Sequence, residues 1–260
     1  MIPYAVFLDI DGTVMHHNQV TDRDKEAIFK ARSAGHFVFI NTGRAYSYVP
    51  DIIRHDLKVN GVIAGLGADI RIGGRQIYSK TLPFSLLDRA AELLEDVCFL
   101  FEGEDAMYQQ GTLFQSEHKV IQKGIPFSVQ YPQARISKMS LFGTPRKEAL
   151  EELTKDLMYF RFPHYSEMGR IGQTKATGME RVLQLLNIPR ERSIAIGDSE
   201  NDSHMLQAAG ISVAMGNAPE SLQQHCDYVT ETVDQSGVAC AIERLLFSGD
   251  VAKNCVGEAG

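Results

Sequence analysis

What this chain lacks narrows its function before any motif is read. It has four cysteines, Cys98, Cys226, Cys240 and Cys255, and no two of them form a CxxC pair. That scatter argues against a zinc site and, in a chain of 260 residues, against a disulfide scaffold. The thiols read as buried or bystander side chains, and a reducing cytoplasm is the expected setting. No apolar run approaches the ~20 residues that cross a bilayer, and the first residues lead into a strand pattern rather than a signal peptide, so no membrane role is expected. Nor is there a dense run of lysine or arginine. With 26 basic against 33 acidic residues the net charge is -7, which argues against a nucleic-acid surface. Any anionic ligand must then be held locally, by a cation, a lysine or backbone amides. Nothing in the sequence specifies an oligomeric state.

What is present, 44% hydrophobic residues, is enough for a sizeable core in one large domain or two modest ones. Tyr4-Ala5-Val6-Phe7-Leu8 predicts a buried strand, and Thr21 an N-cap for a helix carrying Ala27, Ile28, Ala31 and Ala34 and stopped by Gly35. Phe37 to Ile40 and Gly61 to Ala64 read as further strands, with a helix over about 45–56 that Pro50 kinks or starts late. Gly73-Gly74 marks a hairpin. Alternation of strand and helix resumes with a helix over 175–187, followed by strands at 193–196, 211–215 and 228–229 and helices over 200–209, 219–224 and 237–247. Such alternation implies right-handed crossovers and a mostly parallel sheet covered on both faces, an α/β, Rossmann-like three-layer core built from 1–79 and 172–260. Between the two segments the pattern changes. A helical stripe from Leu86 to Val97, strands at 98–101 and 138–142 and helices over 112–123 and 147–157 read as an inserted α+β module, residues 80–171, with antiparallel strands. Val251 to Gly260 offers no pattern and reads as a tail.

Polar residues gather where the predicted core strands end. Asp9-Ile10-Asp11-Gly12-Thr13 follows the first strand, Thr42-Gly43-Arg44 the second, and Gly197-Asp198 through Asp202 the strand at 193–196. Neighbouring parallel strands bring such ends together, and open α/β sheets bind ligands there. Asp9 and Asp11, two positions apart, should project to one side, where they could hold a cation, divide nucleophile and acid roles, or cap a turn. Lys175 opens the helix before the Asp198 strand, a poor position for a cation against the helix macrodipole. Asp9, Asp11, Asp198 and Asp202 together would repel one another, and Lys175 offsets only one of them. A hard divalent cation resolves the repulsion. Magnesium, which keeps several waters and takes few carboxylates plus substrate phosphate, suits this ligand set.

These residues match in order the four motifs of the haloacid dehalogenase-like (HAD) superfamily, which the chain resembles over both core segments. The inserted stretch, by its size and position, resembles the large C2-type cap of the Cof-type sugar-phosphatase branch. Lys175 precedes Asp198 by 23 positions, a spacing similar to that branch, and Ala214 to Ala218 and Asp234 to Val238 resemble its carboxyl-terminal blocks. The resemblance implies that Asp9 attacks phosphorus to form an aspartyl phosphate, and that Asp11 protonates the leaving alkoxide and then activates water. It further implies that Thr42, Gly43 and Lys175 bind phosphoryl oxygens, and that Mg²⁺ is held by Asp9, the Asp11 main-chain carbonyl and Asp198. Asp202 and Asn201 would orient Lys175 or a metal-bound water from behind. Arg44 and Asn217 are candidate substrate contacts, with a helix end as the alternative for each. His16-His17, lacking a partner at ligand spacing, reads as loop surface. Leu66 stands where this branch commonly has Asn, which removes a polar group near the site.

The implied activity is Mg²⁺-dependent hydrolysis of a small phosphomonoester, foremost a sugar phosphate. Pyridoxal phosphate or flavin mononucleotide hydrolysis, a phosphomutase and a non-catalytic binding protein are the rival readings. Selection of the leaving group would fall to the cap, where the spacing of Arg135, Arg161, His164 and Arg170 does not say which of them face the cleft.

Overall fold

Alternation along β1 (Ala5–Leu8) sets the layering of half the chain. Val6 and Leu8 enter one apolar cluster and Ala5 and Phe7 another, and all four are fully buried, which requires a cover on each face of the sheet. The computed structural model describes residues 2–111 and 117–248. In it β1 is followed by α1 (Asp22–Ser33), β2 (Phe37–Asn41), β3 (Gly61–Ala64), β4 (Asp69–Ile72) and β5 (Arg75–Ser79). Next come α2 (Phe84–Leu93), β6 (Cys98–Gly103), β7 (Met107–Gln110), β8 (Lys119–Val120), α3 (Phe127–Gln130), β9 (Ile136–Phe142), α4 (Lys147–Leu153), β10 (Leu157–Arg161) and β11 (Ser166–Arg170). The chain then returns through α5 (Lys175–Leu186), β12 (Ser193–Gly197), α6 (Ser203–Ala208), β13 (Ile211–Ala214), α7 (Glu220–Gln223), β14 (Tyr228–Val229) and α8 (Gly237–Ile242).

The first sheet runs β14-β13-β12-β1-β2-β3-β4-β5, parallel from β14 to β3 and closed by an antiparallel hairpin. One face packs on Ala27, Ile28 and Ala31 of α1 and Val238, Ala239 and Ile242 of α8, the other on Met179, Val182 and Leu183 of α5 and Met205 and Leu206 of α6. Thr21 caps α1 by accepting from the Asp24 N–H at 3.1 Å, and Asp24 Oδ1 accepts from the Ala239 N–H at 2.8 Å, joining the two helices of that layer. The strand ends holding Asp9, Thr42 and Asp198 therefore lie side by side, as the α/β pattern requires. The expected helix over 45–56 is instead a 3₁₀ turn, Tyr46–Tyr48, and a π-helical turn, Ile52–Asp56, because Pro50 lies between them and cannot donate to a continuous ladder.

The second sheet runs β10-β11-β9-β6-β7-β8, with all of its strands between β5 and α5 in the chain. The helices among the described residues cover one face only. Phe99, Phe101, Met139, Leu141 and Met168 meet Leu86, Leu87, Phe127 and Leu153 there. Its pairs are antiparallel except β7 with β8. That exception corrects the helix expected over 112–123. Residues 112–116 lie outside the described ones, and Lys119–Val120 is a strand that pairs with Tyr108 and Gln109 of β7. The helix expected to reach Leu157 stops at Leu153, where β10 needs the following residues. No helix among the described residues is long and apolar enough to cross a membrane. Cys98, Cys226 and Cys240 are free thiols.

The loop after β3 packs tightly against the start of α5. Gly67 has φ +85°, and a Cβ there would lie 2.7 Å from the Thr174 carbonyl and 3.1 Å from the Gly178 nitrogen. Gly67→Ala is expected to combine left-handed strain with overpacking and to cost about 2–4 kcal/mol. The urea midpoint should fall with the m-value unchanged. A midpoint equal to that of the parent would show that this contact does not constrain α5.

Candidate active site

Asp9 extends β1 by one rung, its N–H donating to the Ile196 carbonyl at 3.1 Å. The chain then folds tightly: the Ile10 carbonyl accepts from the N–H groups of Thr13, Val14 and Met15. Gly12 (φ +79°) makes that turn and leaves room beside it, since a Cβ on it would come within 2.3 Å of Asp198 Oδ2. Thr13 Oγ1 donates to Asp198 Oδ1 at 3.0 Å. Asn217 donates to the Gly12 carbonyl at 2.9 Å and accepts from the Val233 N–H at 2.9 Å, so it braces the turn from behind instead of capping α7.

Lys175, the first residue of α5, answers its unfavourable macrodipole position by reaching across the strand ends. Its Nζ donates to Asp9 Oδ1 at 2.6 Å and Asp202 Oδ1 at 2.7 Å, with Asn201 Oδ1 at 3.4 Å, and it is 2% exposed. Thr174 caps the helix reciprocally with Thr177, and Asn41 Nδ2 holds the Lys175 carbonyl at 2.8 Å. Asp202 Oδ2 accepts from the N–H groups of Asp198 and Ser199, both at 3.1 Å. Burial pushes the Asp9 carboxyl up to about 7, reinforced by Asp202 and opposed by Lys175. Burial and Asp202 likewise raise Asp198 to about 6, against the Thr13 hydrogen bond. For Lys175 burial favours the neutral amine, but the carboxylates of Asp202 and Asp9 outweigh it and hold the ammonium above its ordinary range.

Asp11 is in the opposite environment. Its half-exposed carboxylate accepts from Arg44 Nε at 2.7 Å and Nη2 at 2.6 Å, while Arg44 also lies over the Tyr48 ring. Arg44 thus clamps Asp11. Asp9, Asp11, Thr42, Gly43 and Arg44 line one cleft of about 540 Å³, whose opposite wall is the uncovered face of the second sheet. Thr42 is buried and its Oγ1 accepts the Arg44 N–H at 3.1 Å.

The donor set fits a hard cation. Asp9, Asp198 and Asp202 each bring a carboxylate oxygen within 4.8 Å of the others. Asp202 is committed to Lys175 and two backbone amides, whereas Asp198 Oδ2 faces the space that the missing Cβ of Gly12 leaves open and Asp9 uses only Oδ1 for Lys175.

None of the four cap residues singled out by charge lines this cleft. Arg135 is held by Glu104 and Ser79, His164 is exposed, Arg170 borders a different pocket, and Arg161, also exposed, lines an adjoining pocket that includes Glu167, Lys175 and Asn201. Leu66 (φ +58°) is buried with its methyls toward Gly43 and Gly169, so an apolar contact occupies the position of the usual Asn. His16 pairs with Asp234 at 2.7 Å on the surface. Sequence reasoning missed Asn41, which fixes Lys175, and the cleft-facing Glu102, Lys138 and Glu167. The available signal was the pair of polar residues at alternate positions of β9, Lys138 and Ser140, between Met139 and Leu141.

A family model for haloacid dehalogenase-like hydrolases matches residues 6–242. The chain belongs to that family. The putative phosphatase YkrA of Bacillus subtilis (strain 168) is 29% identical to it, over 92% of this chain and 96% of its own. The 5-amino-6-(5-phospho-D-ribitylamino)uracil phosphatase YcsE of the same organism is 28% identical, over 93% and 95%. Among solved structures, that of the HAD subclass IIB sugar phosphatase BT4131 superposes with a TM-score of 0.78 at 25% identity, covering 93% of this chain and 98% of that one. The hydrolase family and the α/β fold thus agree with the motif reading.

Because Asp9 and Asp198 hold protons in the folded state that the unfolded chain releases from about pH 4, the metal-free hydrolase should lose stability as pH rises toward 7 through these groups. A bound divalent cation needs both carboxylates ionised. The rise in Tm on adding Mg²⁺ should therefore be larger near pH 8 than near pH 5, the underlying stabilisation being about 2.7 kcal/mol at a hundredfold excess over Kd. An equal rise at both pH values, or none, would contradict this assignment of the acidic cluster.

Proposed function

We propose that the chain is a magnesium-dependent phosphomonoester hydrolase that acts on a small phosphorylated metabolite, a sugar or polyol phosphate, through an aspartyl phosphate. The observation that carries this reading is the Lys175 ammonium fixed between Asp9 and Asp202, which immobilises Asp9 Oδ1 while the Asp9 side chain borders the cleft. The names of two relatives, phosphatases of a ribityl phosphate and of sugar phosphates, support it, while others at 25–26% identity are named phosphoglycolate phosphatases. Residues 80–171 would act as a cap over a core formed by 1–79 and 172–260, and β6, β9 and β11 would supply the cleft's outer wall.

Asp9 Oδ2 attacks phosphorus as the ester P–O bond breaks, and the departing oxygen takes its proton from Asp11. Water then attacks the aspartyl phosphate, gives its proton to Asp11 and releases inorganic phosphate together with the Asp9 carboxylate. Lys175, the Thr42 hydroxyl and the Gly43 amide would hold phosphoryl oxygens, and one Asp11 oxygen leaves the Arg44 fork to carry the proton while the other keeps the carboxyl aimed. Magnesium, held by Asp9, Asp198 and the Asp11 main-chain carbonyl, would supply charge neutralisation at the phosphoryl group.

Asp9→Asn should reduce phosphate release from p-nitrophenyl phosphate at least about a thousandfold. Unchanged release would remove Asp9 from the nucleophile's role. Asp11→Asn should distinguish leaving groups, because nitrophenolate departs without a proton and an alkoxide does not. The loss of kcat should be about 10²–10⁴-fold on an alkyl phosphate and clearly smaller on the aryl ester. Equal losses on both esters would argue against Asp11 as the acid.

A further inference from the structure

The uncovered face of the antiparallel sheet carries a charged cluster that the chemistry above does not use. Alternation along β6, β9 and β11 sends Phe101, Met139 and Met168 into the helix-covered core and turns Glu102, Lys138 and Glu167 to the opposite face. Register places Glu102 opposite Lys138 and Glu167 opposite Ser140. Lys138 Nζ pairs with Glu167 Oε1 and lies 3.4 Å from Glu102 Oε1, which also accepts from Ser140 Oγ. These side chains are nearly inaccessible, with Lys138 at 2% exposure, yet they border the same cleft as Asp9 and Asp11. Among the described residues no hydrogen bond reaches Glu102 Oε2 or Glu167 Oε2. The latter approaches the phosphate-binding turn, since a Cβ built on Gly43 would lie 4.0 Å from it.

Charge and hydrogen-bond chemistry then restrict what fits between this wall and Asp9. Lys138 is one positive charge shared by two carboxylates. Burial raises the Glu102 pKa, but even with Glu102 protonated the cluster has no net positive charge. Arg44, the cation on the opposite wall, is committed to Asp11. Among the described residues lining this cleft, the lysine and the arginine are each paired with carboxylates, so a second anionic group on the substrate would meet the ionised Glu167 oxygens, which only accept hydrogen bonds, without a free lysine or arginine to pair with. Hydroxyl groups would satisfy those same oxygens.

We propose that Glu102, Lys138 and Glu167 determine the leaving-group specificity, selecting esters of a neutral polyol or sugar and rejecting those that carry a second carboxylate or phosphate. The proposal rests on the phosphatase reading and extends it to the substrate class.

Two matched pairs of esters test it with Mg²⁺ present: glycerol 3-phosphate against 3-phosphoglycerate, and sorbitol 6-phosphate against 6-phosphogluconate, each pair differing in a terminal CH₂OH or carboxylate. p-Nitrophenyl phosphate serves as the reference ester. The expected result is a kcat/KM preference for the neutral member of at least about tenfold in one pair or both. Glu102→Gln and Glu167→Gln, checked for folding by thermal melting, should narrow that preference by raising relative activity on the carboxylate ester. Parity within both pairs while p-nitrophenyl phosphate is hydrolysed would overturn the specificity proposal alone. A preference that both folded variants retain in full would overturn the assignment to this cluster. Failure to hydrolyse any ester, the aryl one included, would overturn the phosphatase reading and this proposal with it.

Discussion

The Lys175 ammonium between Asp9 and Asp202 is the interaction on which the rest of the site depends. Burying three charges costs several kcal/mol per ion before any attraction is counted, so such a group persists only where its geometry is fixed and its remaining lone pairs are satisfied. Each requirement is met by a different piece of the fold. The α5 cap and the Asn41 amide fix where the lysine starts, parallel register fixes where Asp9 ends, and two backbone amides hold Asp202. The lysine also stands at the wrong end of a helix dipole. Local helix stability is thus given up for a cation at the strand ends, and the tight packing of Gly67 on α5 keeps that helix in place.

Legibility in the sequence followed the number of faces each strand buries. β1, β2, β3 and β12 are covered on both sides, so they read as short continuous apolar runs, with Asp9 and Asp198 just beyond two of them, and the ordered set of Asp9, Thr42, Lys175 and Asp198 is legible in the sequence alone. β7, β10 and β11 are different. Gln109 and Gln110 in β7, Tyr159 and Arg161 in β10 and Glu167 in β11 interrupt the apolar residues, which dilutes the signal to a few alternate positions. The 112–123 segment misled for a related reason, because what decides Lys119–Val120 is a neighbouring strand edge that a local helical pattern does not encode. Arg44 was visible as a motif residue, yet its clamp on Asp11 depends on a turn whose direction periodicity does not give.

The two sheets present unlike surfaces to the shared cleft. The parallel sheet offers strand ends, where backbone turns such as Gly12-Thr13 and Thr42-Gly43 aim polar groups with little freedom. The antiparallel sheet offers a broad face, where every second side chain is available and the backbone is committed to its ladder. Under the proposed reading, phosphoryl transfer belongs to the first surface because it needs few groups held rigidly, and selection of the leaving group belongs to the second because a face can vary residue by residue without moving the turns.

That division bears on why the second surface carries charges at all. A sheet face that an apolar leaving group alone had to meet could be wholly apolar, as Leu100, Met107 and Phe142 on the same wall show. Glu102, Lys138 and Glu167 instead pair among themselves, so most of the electrostatic cost of covering them is offset within the sheet before any ligand arrives. What remains available is acceptor capacity on the two carboxylates. Under the proposed reading, an internally paired cluster of this kind is covered by a substrate at modest cost and discriminates by leaving a mismatched ligand group without a partner.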